Sequence, residues 1–108
     1  SMADTVENSK KLAEECLNKK KFAEAKKLYS RCLTGIHAND SYFMFGLAKA
    51  EFGLNNFAET KAILDNLIEL NPDFKNAVST LVSIFRRMKP LLCRYRKNLK
   101  FFKYYNVN

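Results

Sequence analysis

Hydrophobic residues along the chain follow a helical spacing that short polar stretches interrupt. The first pattern includes Leu12, Cys16 and Leu17 and stops at the polar stretch NKKK. A second pattern begins directly afterwards and contains Phe22, Ala25, Leu28, Tyr29, Cys32 and Leu33. Apolar residues three and four positions apart form one face of a helix, whereas a strand would alternate at every second position. The first third of the chain therefore predicts two helices joined by a tight turn.

The middle of the chain repeats this arrangement. One apolar pattern contains Phe43, Met44, Leu47, Ala48 and Phe52, and after the break GLNN another contains Phe57, Ile63, Leu64, Leu67, Ile68 and Leu70. Asn56 with Glu59 predicts a capping box at the start of the fourth helix, and Asp4 with Glu7 another at the start of the first. Asn71 and Pro72 suit the N-cap and first position of a fifth helix.

Sliding the chain against itself by 35 residues aligns the two helix pairs. Leu12-Ala13 falls on Leu47-Ala48, Phe22-Ala23-Glu24 on Phe57-Ala58-Glu59, Lys26 on Lys61 and Leu33 on Ile68. A repeat at this period is typical of stacked helical units that bury their apolar faces against each other. We expect a single domain, with one repeat at about residues 5–38 and a second at about 40–74.

Over residues 5–74 the chain resembles the tetratricopeptide repeat family, and more narrowly the bacterial members of it. The small residues that let paired helices approach each other are Ala13, Ala25 and Ala48. The second helix of each pair opens with an aromatic residue, Phe22 or Phe57. The large residues between helices are Tyr29 and Leu64, and the closing proline is Pro72. Thr60 and Leu67 depart from the pattern, because small residues are usual at both positions. The resemblance implies an all-α solenoid of two helical hairpins with capping helices.

The resemblance also implies a non-catalytic scaffold that binds a protein or peptide in a groove lined by the first helix of each unit. By register, the groove residues would be Lys10, Glu14, Leu17, Asn18, Tyr42, Phe45, Lys49 and Phe52. Such a groove can hold an extended peptide or an amphipathic helix, with the lysines meeting acidic groups. The alternative for Phe45 and Phe52 is that they only pack against the next helix.

Charge divides the chain into two unequal parts. Residues 1–74 contain ten Lys/Arg and all eleven Asp/Glu, whereas residues 75–108 contain nine Lys/Arg and no acid. The net charge of +8 therefore comes from the C-terminal third. Residues 75–108 have the length of one more repeat, so a capping helix or a degenerate third hairpin opened by Pro90 is expected at about residues 75–105. A reading-frame change would also produce so abrupt a shift in composition.

The C-terminal segment predicts an amphipathic helix. Leu91, Leu92, Tyr95, Leu99, Phe102 and Tyr105 share one arc of a helical wheel. The basic candidates on this segment are Arg94, Arg96, Lys97, Lys100 and Lys103. Packing as a cap competes with homo-oligomer formation through the aromatic residues, with nucleic-acid binding and with binding to an anionic membrane surface. Nucleic-acid or membrane binding is the alternative function, and no known reading motif accompanies it.

Residue types that carry catalysis or metal binding are few. The three cysteines have no CxxC spacing, and with His37 as the one histidine they do not form a zinc set. The glycines form no phosphate-binding loop. We therefore expect no enzyme activity, no cofactor and no metal. Thiols without a pairing pattern, and no apolar run of membrane-span length, favour a cytoplasmic protein or the cytoplasmic-side fragment of a larger one.

Overall fold

The fold is all-α. A computed structural model describes the backbone of residues 2–92, and the side chains of residues 5–83 and Arg86. It contains five helices: α1 (Met2–Asn18), α2 (Phe22–Cys32), α3 (Ser41–Gly53), α4 (Phe57–Leu70) and α5 (Lys75–Leu92). Short 3-10 turns at Gly35–His37 and Pro72–Phe74 precede α3 and α5. No strand occurs within residues 2–92.

Each of the first four helices packs on its neighbour in sequence, and α1 also reaches α3. One cluster of buried residues joins α1, α2 and α3, with Ala13 and Ala25 fully buried and Tyr29 only 1% exposed. A second cluster joins α3, α4 and α5 through Ala48, Leu64 and Val78. α3 contributes to both clusters, because α2 covers one of its sides and α4 the other. This position explains why its sequence lacks a polar face.

The turns after α1 and α3 have the same backbone structure, 35 residues apart. Lys20 and Asn55 have positive φ angles of 60° and 65°. The amide of Lys21 donates to the carbonyl of Cys16 at 2.7 Å, and the amide of Asn56 donates to that of Glu51 at 2.9 Å. The sequence repeat of 35 residues is thus also a repeat of local structure.

Two glycines of α3 let the helices of neighbouring pairs approach each other. A Cβ on Gly46 would overlap the ring of Tyr29, and a Cβ on Gly53 would overlap the ring of Phe22. Both aromatic residues belong to α2, so they lie flat against the backbone of α3 where no side chain intervenes. This packing fixes the distance between α2 and α3.

The helix starts follow the sequence predictions only in part. The Asn71 side chain accepts from the amide of Asp73 at 3.2 Å, and Pro72 follows it, but the two residues begin a 3-10 turn, and the fifth helix itself begins at Lys75. The capping box at Asn56 is wrong, because the Asn56 side chain donates to the buried carboxylate of Glu51 instead of capping α4. α1 begins at Met2, so Asp4 lies inside the helix rather than at its cap.

A cap that the sequence analysis did not include begins α3. The Asp40 carboxylate accepts from the amide of Phe43 at 3.1 Å, which satisfies one of the amides that a helix start leaves free. The side-chain amide of Asn71 also donates to the Ser41 hydroxyl at 3.2 Å, so the start of α3 is tied to the turn that follows α4.

α5 continues through Pro90 to Leu92 without a break, whereas the third-hairpin interpretation placed a new helix at Pro90. None of the helices in the described part of the chain has both the length and the apolar character that crossing a membrane requires.

Candidate functional site

A pocket of about 470 Å³ opens between α1, α3 and α5. It is lined by Glu14, Leu17, Asn18, Phe22, Tyr29, Tyr42, Lys49 and Leu81. Five of these are groove residues predicted from the sequence: Glu14, Leu17, Asn18, Tyr42 and Lys49. Apolar side chains form part of its lining, while an ammonium, a carboxylate, a carboxamide and a phenol provide the polar groups. Ligand pockets in proteins commonly combine such an apolar surface with a few polar groups.

One wall of the pocket is a polar cluster that connects α1 to α3. The Tyr42 hydroxyl donates to the Glu14 carboxylate across 28 residues of sequence. The Lys10 ammonium lies over the Tyr42 ring, 4.6 Å from its centroid, a favourable cation–π arrangement. The hydrogen bond to Glu14 is the largest of the effects that raise the pKa of Tyr42, to about 12. Tyr42 therefore stays a neutral hydrogen-bond donor at physiological pH.

Lys49, one turn after Phe45 on α3, provides the positive charge of the pocket lining. Its ammonium lies over the Phe45 ring, 5.0 Å from the centroid. Phe45 in turn contacts Phe74 edge to face, with ring centroids 5.9 Å apart. Burial lowers the pKa of Lys49, and the nearby Glu14 charge acts weakly in the other direction. The stack of Phe74, Phe45 and Lys49 thus holds a partly desolvated cation against the pocket.

The remaining predicted groove residues have other positions. Lys10 lies beside the pocket, on the Tyr42 ring. Phe45 supports Lys49 and packs on Phe74, and Phe52 contacts Phe57 edge to face at 6.0 Å. Phe45 thus packs on the 3-10 turn before α5, and Phe52 packs on the start of α4. The predicted set omitted Phe22, Tyr29 and Leu81, although the aromatic residues had been recognised as packing positions.

A second network lies between α2, α3 and the turn into α4. Glu51 is only 5% exposed. Its Oε1 atom accepts from Asn56 at 3.0 Å and pairs with the Lys26 ammonium at 3.1 Å. Because both contacts join separate elements, this carboxylate connects the first helix pair to the second. The network has a structural role and contributes nothing to the pocket.

Groups suited to catalysis or metal binding do not gather in the described residues. No cluster of His, Cys, Asp and Glu side chains there could hold a metal ion. Burial raises the pKa of the Cys16 and Cys32 thiols above the usual value, which disfavours a nucleophilic thiolate. His37 contacts the Phe43 ring edge to face at 5.9 Å.

Another recess, of about 410 Å³, lies between α4 and α5. Its lining includes Ile68, Val78 and Val82, with Asp65, Lys75 and Arg86 as charged groups. The candidate basic residues Arg94, Arg96, Lys97, Lys100 and Lys103, and the aromatic surface considered for homo-oligomer formation, lie outside the described residues.

The chain has no significant match among protein-family models, curated proteins or solved structures.

Proposed function

We propose that this chain is a non-catalytic binding module in which two tetratricopeptide-like hairpins and α5 form a groove for a segment of another protein. The observation that carries the proposal is the pocket between α1, α3 and α5, to which each of these three helices contributes side chains. The first helix of each pair and α5 thus contribute to one concave surface, together with Phe22 and Tyr29 of α2. Such a surface suits an extended or helical segment better than a flat face would.

The packing of the helices supports the tetratricopeptide-like part of the proposal. The small residues expected at close approaches, Ala13, Ala25 and Ala48, are each 0% exposed. Tyr29 and Leu64, expected between helices, are 1% and 0% exposed. The repeated turns at Lys20 and Asn55 have the spacing that stacked units require.

The chemistry of the pocket favours binding over catalysis. Its titratable groups are two tyrosines whose pKa values are raised, Tyr29 and Tyr42, together with Lys49 and with the Glu14 carboxylate that Tyr42 already engages. Tyr42 donates to Glu14, but this bond raises the pKa of the phenol and so does not activate it as a nucleophile. The same groups can form hydrogen bonds and an ion pair to a bound peptide.

Selection from a random peptide library displayed on phage, with the full 108-residue chain as bait, tests the proposal. Enriched peptides are then synthesised, and their Kd values are measured by fluorescence anisotropy. Asn18→Trp places a large ring in the pocket at an exposed position, so it should weaken binding at least tenfold by steric exclusion. Asn66→Trp, at an exposed position of α4 that does not line the pocket, is the matched control and should bind like the wild type.

Two results would contradict the groove. One is a selection that enriches no peptide above background, and the other is equal affinity of Asn18→Trp and the wild type. Neutralising Arg94, Arg96, Lys97 and Lys100 should leave the Kd of a groove peptide unchanged. If this variant loses binding and the wild-type affinity falls steeply with salt, the basic C-terminal segment is the binding surface.

A further inference from the structure

Lys49 is a pocket cation without an ion-pair partner among the described residues. The ion pairs there are Lys26–Glu51 and Lys61–Asp65, and neither involves Lys49. The pocket carboxylate, Glu14, accepts the Tyr42 hydroxyl instead. The attraction between an ammonium and an anion is stronger where both are partly removed from water. An anion that binds inside the pocket would therefore interact with Lys49 more strongly than one in bulk solvent.

The position of Lys49 is held from behind by the aromatic stack. Phe45 contacts both the ammonium and Phe74, so the 3-10 turn before α5 fixes the ring on which the lysine rests. A lysine side chain otherwise loses much rotamer freedom when it binds a ligand. Because the stack has already restricted Lys49, less of that entropy remains to be lost when an anion binds.

The other groups that line the pocket indicate which kind of molecule should carry the anion that binds Lys49. Leu17, Phe22 and Leu81 supply apolar lining of the same pocket, and Asn18 supplies a carboxamide. Glu14 and Tyr42 form the other polar wall, with Lys10 behind it on the Tyr42 ring. A bare inorganic anion would leave the apolar surface uncovered. A carboxylate on a chain that also carries an apolar side chain would cover both.

We propose that the pocket selects a protein segment containing an aspartate or glutamate next to a bulky apolar residue, with the side-chain carboxylate on Lys49 and the apolar side chain against Leu17 and Leu81. This inference rests on the proposed function and specifies its ligand. Lys49 is the residue that distinguishes acidic from neutral segments. Glu14 and Tyr42 form another polar part of the lining, and Asn18 is within the same pocket to bond the peptide backbone.

A double-mutant cycle between protein and peptide tests this assignment. The peptide is the one with the highest affinity in the phage selection, made with an amidated C-terminus so that only side-chain carboxylates remain. Its acidic residue is changed to the matching amide, Asp to Asn or Glu to Gln, and each form is titrated with wild type and Lys49→Gln. We expect the amide form to bind wild type at least tenfold more weakly, and both forms to bind Lys49→Gln alike.

Two further variants test whether the effect depends on the charge at position 49 and not on the net charge of the protein. Lys27→Gln removes the same charge from an exposed position of α2 and should keep the wild-type preference for the acidic peptide. Lys49→Arg keeps the charge and should retain most of the preference. Circular dichroism melting of each variant establishes that it is folded, and if Lys49→Gln does not fold, Lys49→Met serves in the same cycle.

The outcomes separate the two proposals. The assignment to Lys49 is wrong if Asn18→Trp weakens binding but the enriched peptides share no acidic residue. It is also wrong if replacing the acidic residue of the peptide weakens binding equally to wild type and to Lys49→Gln. In both cases the groove stands. If amidation of the C-terminus alone abolishes binding, the terminal carboxylate is the recognised group and the side-chain assignment is wrong. If no peptide binds, the proposed function is contradicted, and this inference falls with it.

Discussion

Tyr42 is the single residue whose ionisation reports most directly on the pocket. Its hydroxyl donates to Glu14, and that bond is the first of the causes that raise its pKa to about 12. A raised pKa means that the fold favours the neutral phenol. The stabilisation is therefore fully present below the ordinary tyrosine pKa of about 10, and is lost as pH rises through about 12.

Ultraviolet titration of the phenolate should resolve Tyr42 by the difference between wild type and Tyr42→Phe. The difference curve should have its midpoint near the raised pKa, and in a Glu14→Gln background the midpoint should fall, because the carboxylate that disfavours the phenolate is gone. A difference curve centred on the ordinary tyrosine pKa in both backgrounds would mean that the Tyr42–Glu14 bond is not formed in solution.

Gly46 is a residue whose missing side chain sets the packing of α2 on α3. Replacing it with alanine should destabilise the protein by roughly 1–3 kcal/mol through overpacking against Tyr29, although alanine is favoured over glycine within a helix by about 1 kcal/mol. Urea unfolding of Gly46→Ala measures this difference. Ser30→Ala, at an exposed position of α2, controls for helix propensity; greater stability of Gly46→Ala would show that the ring of Tyr29 does not lie there.

At the scale of elements, the turn between α1 and α2 contains a strained residue. Lys20 has a φ of 60°, a region that residues with a Cβ adopt at a cost. Lys20→Gly should therefore raise the free energy of unfolding, by roughly 0.5–1 kcal/mol. Lys19→Gly, at the adjacent position without a positive φ, should not stabilise the protein. Thermal melting compares the two, and equal or reversed effects would contradict the turn geometry.

The Glu51 network is the element-scale connection between the two helix pairs. Removing Lys26 leaves the buried Glu51 carboxylate with Asn56 as the remaining described partner, so Lys26→Met should cost about 1–2 kcal/mol. This is less than for a fully buried pair, because the Lys26 side chain is 44% exposed and water screens it. Lys27→Met on the same helix should change the unfolding midpoint in urea little, and equal losses would mean that the ion pair contributes nothing.

Much of the element structure could be predicted from the sequence. The apolar spacing located α1 to α4, and the aromatic openers Phe22 and Phe57 are the residues at which α2 and α4 begin. The capping of α4 was not predictable in this way. Asn56 has the right residue type, but the burial of Glu51 is a tertiary property that no local pattern reveals, and the buried carboxylate takes the Asn56 side chain.

The pocket residues were predictable to the extent that helix register decides them. Glu14, Leu17, Asn18, Tyr42 and Lys49 share a register and line the pocket. Phe45 and Phe52 share it too, but their rings are large enough to reach Phe74 before α5 and Phe57 at the start of α4, so they pack there. Phe22 and Tyr29 reach the pocket from α2 because glycines in α3 leave room for their rings. Register alone does not contain that information.

At the scale of the whole molecule, the buried core and the positive charge are concentrated in different parts of the chain. Residues 5–83 contain both buried clusters, the repeated turns and the pocket. The positive charge is concentrated after residue 74, where nine Lys/Arg occur without an acid. The proposed groove therefore lies in the part of the chain that contains the buried clusters.

Chemical-shift mapping on the ¹⁵N-labelled full chain, titrated with a peptide from the phage selection, tests the groove most directly. The largest shift changes should fall on Glu14, Asn18, Tyr42, Lys49 and Leu81, while the exposed Lys27 and Asn66 remain unchanged. Changes confined to residues 94–103, or spread over α2 and α4 with the pocket residues unaffected, would contradict the groove between α1, α3 and α5.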